Sequence, residues 1–129
     1  MIVLDTHAWL WLVDEPSRLS PAAAAAIEGA GRLGVCTISC WELAMLSRKG
    51  RIRLDRDVAS WVRMAIADPR VDALALSPEA GVAAALLEGP HVPRDPADRV
   101  IYATARAHGA AIVTRDGLLR DHDPAMTIW

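Results

Sequence analysis

Short runs of consecutive apolar residues alternate along this chain with longer segments in which apolar residues recur every three or four positions. The first pattern is typical of strands covered on both faces, and the second is typical of the helices that cover them. The alternation predicts a three-layer α/β fold with a central parallel sheet flanked by helices, but it does not indicate the order of the strands. The predicted strands are residues 2–4, 33–38, 71–76, 111–114 and 126–129, and the predicted helices are residues 8–13, 21–30, 40–49, 57–67, 78–87 and 96–108.

Composition narrows the class of protein without changing this fold. The chain has 129 residues, of which 53% are hydrophobic and 23% charged, and these proportions are typical of a globular domain with a buried core. No apolar run approaches the ~20 residues of a membrane-spanning helix. Asp5 and His7 interrupt the apolar amino terminus, and no basic stretch precedes it. We therefore expect one cytoplasmic domain over residues 1–129, with no membrane association.

Charge and cysteine content limit the kinds of site. A net charge of −2 gives no overall attraction to nucleic acid, although a divalent cation bound at an acidic site reverses the local sign. Cys36 and Cys40 do not make a disulfide framework, and no second pair of Cys or His follows at a distance suited to zinc. We interpret both cysteines as buried small residues.

Acidic residues recur where the predicted strands end and where the following helices begin. Parallel α/β sheets bind their ligands beyond the carboxyl ends of the strands, so these acids are candidates for one shared site. Each acid also has a structural explanation, which the sequence alone leaves open. Asp5 and Asp95 fit helix N-caps, Glu42 fits a capping box begun by Ser39, Asp98 fits a first-turn acid favoured by the helix dipole, and Asp116 fits a turn with Gly117.

Two observations favour a metal site over these explanations. Asp98 is in helical register with Ile101 and Ala105, and Glu42 stands likewise above Met45. An unpaired charge in line with an apolar face is costly to bury. Converging acids repel one another unless a cation neutralises them, and oxygen ligands without a suitable His or Cys favour Mg²⁺ or Mn²⁺. The residues by themselves therefore predict a divalent metal site.

Four segments of the chain together resemble the motifs of PIN-domain proteins. They are residues 1–11, 39–44, 94–105 and 112–116, and they span nearly the whole chain in the order of the family. The combination is similar to the VapC-type toxins of prokaryotic toxin–antitoxin modules. The resemblance implies a PIN-like fold for residues 1–129, and it implies that the metal is held by Asp5, Glu42, Asp98 and, as a less constant fourth ligand, Asp116.

Supporting residues follow from the resemblance and from sequence neighbourhood. Thr6 and Thr114 are expected to support the site through their hydroxyls, whereas Asp95, in the Asp-Pro-x-Asp-Arg form of the third motif, is assigned to the helix cap. Arg99 and Arg115 each adjoin a proposed ligand and are expected in the cleft. The basic stretch at residues 48–53 fits either phosphate contacts or a solvated helix end. The five Trp and one Tyr fall mostly in apolar stripes and indicate no aromatic stacking platform.

The function implied by the resemblance is that of a metal-dependent endoribonuclease, the toxin of a type II toxin–antitoxin pair. One or two Mg²⁺ or Mn²⁺ ions would activate water to hydrolyse RNA phosphodiesters. Two alternatives stay open, a PIN-like binding module without catalysis and a housekeeping PIN nuclease. A Mg²⁺-dependent phosphatase ranks last, because the first motif has no Asp-x-Asp and the chain has no Gly-rich phosphate loop.

Two protein partners are expected, a small antitoxin protein and a second copy of the chain in a homodimer. The resemblance implies both. Near the amino terminus and on the helix of the second motif, the chain has more apolar residues than one helical face can bury, and such a surplus tends to become an interface. Burial under both faces of the sheet is an equally good explanation of these residues, which are Trp9, Trp11, Leu12, Trp41, Leu43 and Met45.

Overall fold

A parallel sheet of five strands lies between two layers of helices in the computed structural model, which describes all of residues 1–129. The predicted three-layer α/β class is confirmed. The strands are β1 (Ile2–Leu4), β2 (Leu33–Cys36), β3 (Val71–Leu74), β4 (Ile112–Val113) and β5 (Thr127–Ile128). The helices are α1 (Thr6–Asp14), α2 (Pro21–Gly29), α3 (Thr37–Arg48), α4 (Val58–Ile66), α5 (Pro78–Ala85), α6 (Pro96–Ala107) and α7 (Gly117–His122), with a 3₁₀ turn at Pro16–Arg18.

The strands lie in the order β3-β2-β1-β4-β5, and every neighbouring pair is parallel. From the central strand β1 the chain passes to β2 on one side and returns later to β4 on the other. The carboxyl end of β1 is therefore the switch point of the sheet, where a crevice opens between the two sets of connections. Gly34 lets β2 pack closely on its neighbours, since a Cβ there would meet Leu74 Cδ1 at 2.7 Å.

Both faces of the sheet carry a hydrophobic core. Val3 and Leu4 are fully buried neighbours in β1 that point to opposite faces, because side chains alternate along a strand. Leu4 belongs to a cluster with Trp9 of α1 and Trp61 of α4, whereas Val3 belongs to a cluster with Ile101 of α6. Strands buried on both sides require apolar residues at every position, and this is why the sequence pattern predicts them.

Two helices begin earlier than the pattern predicts. α1 begins at Thr6 because the Asp5 carboxylate accepts a hydrogen bond from the Ala8 amide at 2.6 Å and so caps the helix. β2 ends at Cys36, and α3 begins at Thr37 although β-branched residues favour strands. The early start of α3 carries the second motif into the helix, away from a capping position.

One helix, α7, is absent from the prediction. The sequence predicts a turn at Asp116 and Gly117, whereas the structure has a six-residue helix whose N-cap is Asp116. A segment this short has too few apolar residues to show a helical period. No helix of the chain is long and apolar enough to cross a bilayer. Of the two free cysteines, Cys36 is buried as predicted and Cys40 is half-buried.

Most of the apolar surplus near the amino terminus is used inside the fold. Trp9 and Leu43 are fully buried, and Trp11 is 6% exposed. Leu12 and Met45 are half-buried. These residues therefore follow the second explanation, burial under the helical layers, and they no longer support an interface. Trp41 is the exception, with 57% of its surface exposed.

Candidate active site

A cleft of about 670 Å³ opens at the carboxyl edge of the sheet, beside the end of β1. Its position is the one that the topology predicts for a ligand site. Five carboxylates that the sequence singles out converge on this cleft from the α1, α3, α6 and α7 parts of the chain. They are Asp5, Glu42, Asp95, Asp98 and Asp116.

Two of these acids follow strands and cap the next helix. Asp5 comes directly after β1, is 7% exposed, and uses one carboxylate oxygen to accept the Ala8 amide. Asp116 follows β4 and accepts the Leu119 amide at 2.8 Å as the N-cap of α7. The capping explanation is therefore correct for Asp5, whereas Asp116 caps a helix in place of the predicted turn with Gly117. These caps do not exclude a metal ligand, because each cap occupies one of the two carboxylate oxygens.

Glu42 and Asp98 lie in the cleft without a capping role. The capping-box explanation of Glu42 is wrong, because α3 begins at Thr37 and Ser39 lies inside the helix. The Ser39 hydroxyl instead accepts a hydrogen bond from the Thr6 hydroxyl at 3.0 Å. Asp98 lies in the first turn of α6, where the capping position belongs to another residue. Local helix chemistry therefore leaves Glu42 unexplained, and for Asp98 it offers only the first-turn position that the helix dipole favours.

Asp95 is the N-cap of α6. Its carboxylate accepts a hydrogen bond from the Ala97 amide at 2.7 Å, directly before Pro96 at the first helical position. The prediction that Asp95 caps the helix is confirmed. The side chain is exposed and also lines the cleft, so its charge contributes to the acidic field there.

Burial and mutual repulsion raise the proton affinity of the central acids. Desolvation, reinforced by the neighbouring carboxylates, raises the pKa of Asp98 to about 8. Desolvation also raises the pKa values of Asp5 and Glu42. The hydroxyl of Thr114 lowers the pKa of Asp5, and the hydroxyl of Thr6 lowers that of Glu42. The two threonines thus favour the charged forms that a cation requires.

The donor set fits a hard divalent cation. None of the four ion pairs in the chain includes a carboxylate of the cleft, so no acid there is in a salt bridge. No three of the acids converge tightly enough to surround one ion by themselves. Mg²⁺ commonly keeps several waters and takes only one or two carboxylates directly. The arrangement therefore suits an ion held partly through water.

Cationic side chains surround the acids. Arg115, predicted from its place beside Asp116, lines the cleft together with Arg18, Lys49 and Arg51. The guanidinium groups of Arg18 and Arg115 lie 4.6 Å and 6.0 Å from ring centroids of Trp11. The indole of Trp11 thus holds two cations beside the acidic floor.

The expectation that Arg99 lies in the cleft is wrong. Its Nε donates to the Pro93 carbonyl at 2.8 Å, and its Nη1 lies near the carbonyls of Ala84 and Ala85 at the end of α5. Consecutive residues of an α-helix point about 100° apart, so a neighbour of Asp98 need not share its direction. Arg99 instead fastens the loop that leads into α6.

The sequence prediction assigns no role in the site to Arg18, His7 or Trp41, although all three line the cleft. A signal existed for Trp41, because it lies about 200° around the helix from Leu43 and the two cannot face one core. His91 lies outside the cleft, in a loop, with a φ of 61°.

Known proteins resemble the chain in sequence and in fold. Residues 2–123 match the sequence profile described as the PIN domain. The chain is 42% identical to Ribonuclease VapC22 of Mycobacterium tuberculosis, over 99% of this chain and 98% of the relative. A chain of a toxin–antitoxin complex from Klebsiella pneumoniae has a similar fold, with a TM-score of 0.63 and 19% identity over 90% of this chain and 87% of the other. A chain of VapBC2 from Rickettsia felis bound to a DNA fragment from their promoter matches with a TM-score of 0.64 and 14% identity over 100% of both chains.

Proposed function

The chain belongs to the PIN-domain family, and from this premise we propose that it is a metal-dependent endoribonuclease, the toxin of a type II toxin–antitoxin pair. A relative that is 42% identical over nearly the full chain is named a ribonuclease. One neighbour in fold is part of a toxin–antitoxin complex. Residues 1–129 act in this proposal as one PIN-like nuclease domain.

The observation that carries the proposal is the pair of acids in the cleft that cap no helix. Glu42 and Asp98 lie at the edge of the sheet where ligands bind, with raised pKa values and no salt bridge. A protein keeps such costly charges where a cation uses them. A non-catalytic module would have no use for this arrangement, which is why we prefer the nuclease.

The central acids of the cleft have a part in the proposed reaction. Asp5, Glu42, Asp98 and Asp116 would hold one or two Mg²⁺ or Mn²⁺ ions, directly or through water. When bound, the metal supplies a water of lowered pKa and neutralises charge on the leaving oxygen.

Around these acids, the threonine hydroxyls oppose the rise that burial causes in the pKa values of their partners. Thr114 does this for Asp5 and Thr6 for Glu42. Arg18 and Arg115, fixed against Trp11, would contact phosphates on either side of the scissile bond.

The ends of the RNA products test the reaction. Water as nucleophile attacks phosphorus and the 3′ oxygen leaves, so the fragments should carry 5′-phosphate and 3′-hydroxyl ends. Purified protein should cut RNA with Mn²⁺ and not with EDTA, and end mapping should find only these ends. Cyclic 2′,3′-phosphate ends, or cleavage that persists in EDTA, would overturn the metal mechanism.

The partners are tested by expression in bacteria. Produced alone in the cytoplasm, the chain should arrest the growth of the cells, and Asp5→Asn should relieve the arrest. Produced with the small protein encoded beside it, the chain should co-purify with that antitoxin and lose ribonuclease activity. Sedimentation should show two copies of the chain in the particle. Harmless expression of an active enzyme that captures no neighbour would favour a housekeeping nuclease.

A further inference from the structure

The indole of Trp41 is exposed inside the cleft. Its surface is 57% exposed, whereas Trp9 and Trp61 are fully buried and Trp11 is 6% exposed. Trp41 is in the same turn of α3 as Glu42 and lines the same cleft. Exposing a large aromatic ring costs the fold hydrophobic stabilisation, so a ligand that covers the ring gives the position a use.

Trp41 begins a row of residues along α3. Met45 and Lys49 follow at intervals of four residues, and all three line the cleft. Residues at this spacing lie on one face of a helix, so the row runs from an aromatic ring through a flexible apolar side chain to a cation. The Cα atoms of Trp41 and Lys49 are about 12 Å apart along the helix axis. The row is long enough to contact more than one residue of a polymer.

The charges around this row fit a polyanion with aromatic bases. Cations on the other walls of the cleft, Arg18, Arg51 and Arg115, suit phosphates, while an exposed indole suits the face of a nucleobase. A second copy of the chain docked symmetrically at this cleft would bring the same mixture of acids and cations, without the regular row of negative charges that a nucleic acid offers to the cations.

We propose that Trp41 stacks an unpaired base of single-stranded RNA beside the scissile phosphate, and that Lys49 holds the backbone farther along the strand. The inference rests on the proposed ribonuclease function and specifies its substrate. Bases in a duplex are stacked on one another and paired, so the flat face that Trp41 needs is not available there. The enzyme therefore selects RNA that is single-stranded at the cut.

Binding of a short fluorescent single-stranded RNA to Trp41 variants tests the proposal. All proteins carry Asp98→Asn, so that RNA in Mg²⁺ is cut too slowly to disturb the binding measurement. Trp41→Ala should weaken binding roughly tenfold to a hundredfold, the range found for loss of one stacked base. Trp41→Phe should keep most of the affinity, and Trp41→Leu, apolar but not aromatic, should behave like the alanine variant. Binding of the same RNA annealed to its complement should be weak and should not change.

A matched control removes exposed apolar surface elsewhere. Val82 on α5 is 61% exposed and lies outside the cleft, so Val82→Ala should leave RNA affinity unchanged. Folding of every variant is checked by its thermal melt. Equal weakening by Phe and Ala, or by Val82→Ala, would overturn the stacking role.

Fluorescence gives a second measure that does not depend on activity. Trp41 is the most exposed indole, so RNA should shield it from acrylamide quenching, and Trp41→Phe should abolish that change. If wild type cuts single-stranded RNA while Trp41→Ala binds it equally well, the inference fails and the proposed function stands. If Trp41→Ala loses only the antitoxin, Trp41 is a protein contact and the inference also fails. If wild type neither binds nor cuts RNA with Mn²⁺, the proposed function itself fails.

Discussion

The two ends of the sheet treat acidic side chains in opposite ways. At the amino end, Arg32 precedes β2 and forms a two-point hydrogen-bonded ion pair with Asp72 of β3, with Nε of Arg32 2.8 Å from Oδ2 of Asp72. The same guanidinium donates to the Pro69 carbonyl. At the carboxyl end five acids share one cleft, and none of them is in an ion pair.

The pKa values differ accordingly. Arg32 lowers the pKa of Asp72, whereas burial and repulsion raise the pKa of Asp98 to about 8. The folded state thus stabilises the charged form of Asp72 and disfavours the charged form of Asp98. A fold under selection for stability alone would pair or remove the buried acids, so the carboxyl end indicates a site that is kept for a ligand.

The largest expected effect on cleavage follows from neutralising an unpaired acid at the carboxyl end of the sheet. Asp98→Asn removes a charge that the proposed metal needs, and RNA cleavage should fall roughly a hundredfold to a thousandfold, as when a group that stabilises reacting charge is lost. Mn²⁺ binding, measured by calorimetry, should weaken in parallel. Asp72→Asn is the matched control at the other end and should cleave RNA at the wild-type rate. Full activity of Asp98→Asn would contradict the site assignment.

The sequence predicts which acids lie at the site better than it predicts which other side chains surround them. Asp5 and Asp116 could be predicted because each follows an apolar strand, and the rule for parallel sheets then places both at one edge. Asp98 could be predicted because it lies in register with the apolar face of a long helix. These inferences need only chain order and periodicity, which one sequence contains.

What the sequence does not provide is the direction of individual side chains. Arg99 adjoins Asp98 in the chain, yet it points toward α5, because helical neighbours diverge by about 100°. For Trp41 the sequence left burial and an interface equally open, and the structure buries Leu43 and turns Trp41 outward. Both residues depend on rotation about a helix axis, which is fixed by packing between helices and not by local propensity.

A second prediction uses pH to separate the two ends. The pKa of Asp98 is raised in the folded state, so in metal-free buffer this residue lowers the free energy of unfolding very little near pH 4. The loss of stability grows as the pH rises toward about 8. Each pH unit between the folded and unfolded pKa values corresponds to about 1.4 kcal/mol. Asp98→Asn should therefore melt at a higher temperature than wild type in EDTA, with a gap that widens from pH 5 to pH 8.

A bound metal should reverse the order of these two melting temperatures. With Mn²⁺ at pH 8 wild type should gain stability by binding the ion, while Asp98→Asn should gain little. Asp72 has a lowered pKa, so its contribution is present above about pH 4 and is lost only at lower pH. A melting difference between wild type and Asp98→Asn that does not vary with pH would contradict the raised pKa.

A smaller effect on cleavage is expected at Asp95. This residue lines the cleft, and its carboxylate caps α6. Asp95→Asn should keep the cap of α6, because Asn caps about as well as Asp, and cleavage should stay within about threefold of wild type. Asp95→Ala should lower the free energy of unfolding by about 1 kcal/mol, measured by urea titration. Loss of cleavage in Asp95→Asn as severe as in Asp98→Asn would instead make Asp95 a metal ligand.

The smallest effect is expected from breaking the ion pair at the amino end. Arg32 and Asp72 are both substantially exposed, and exposed pairs contribute little because water screens them and ordering two side chains opposes the gain. Arg32→Gln and Asp72→Asn should each lower the melting temperature slightly, and the double variant should lower it by less than the sum. The coupling should shrink further in high salt, since exposed charges are screened by added ions. Cleavage should be unchanged in all three variants, because the sheet separates this pair from the cleft. If a substitution at this end lowered cleavage, the two ends of the sheet would be coupled through the strands. They would then have to be treated as one functional unit.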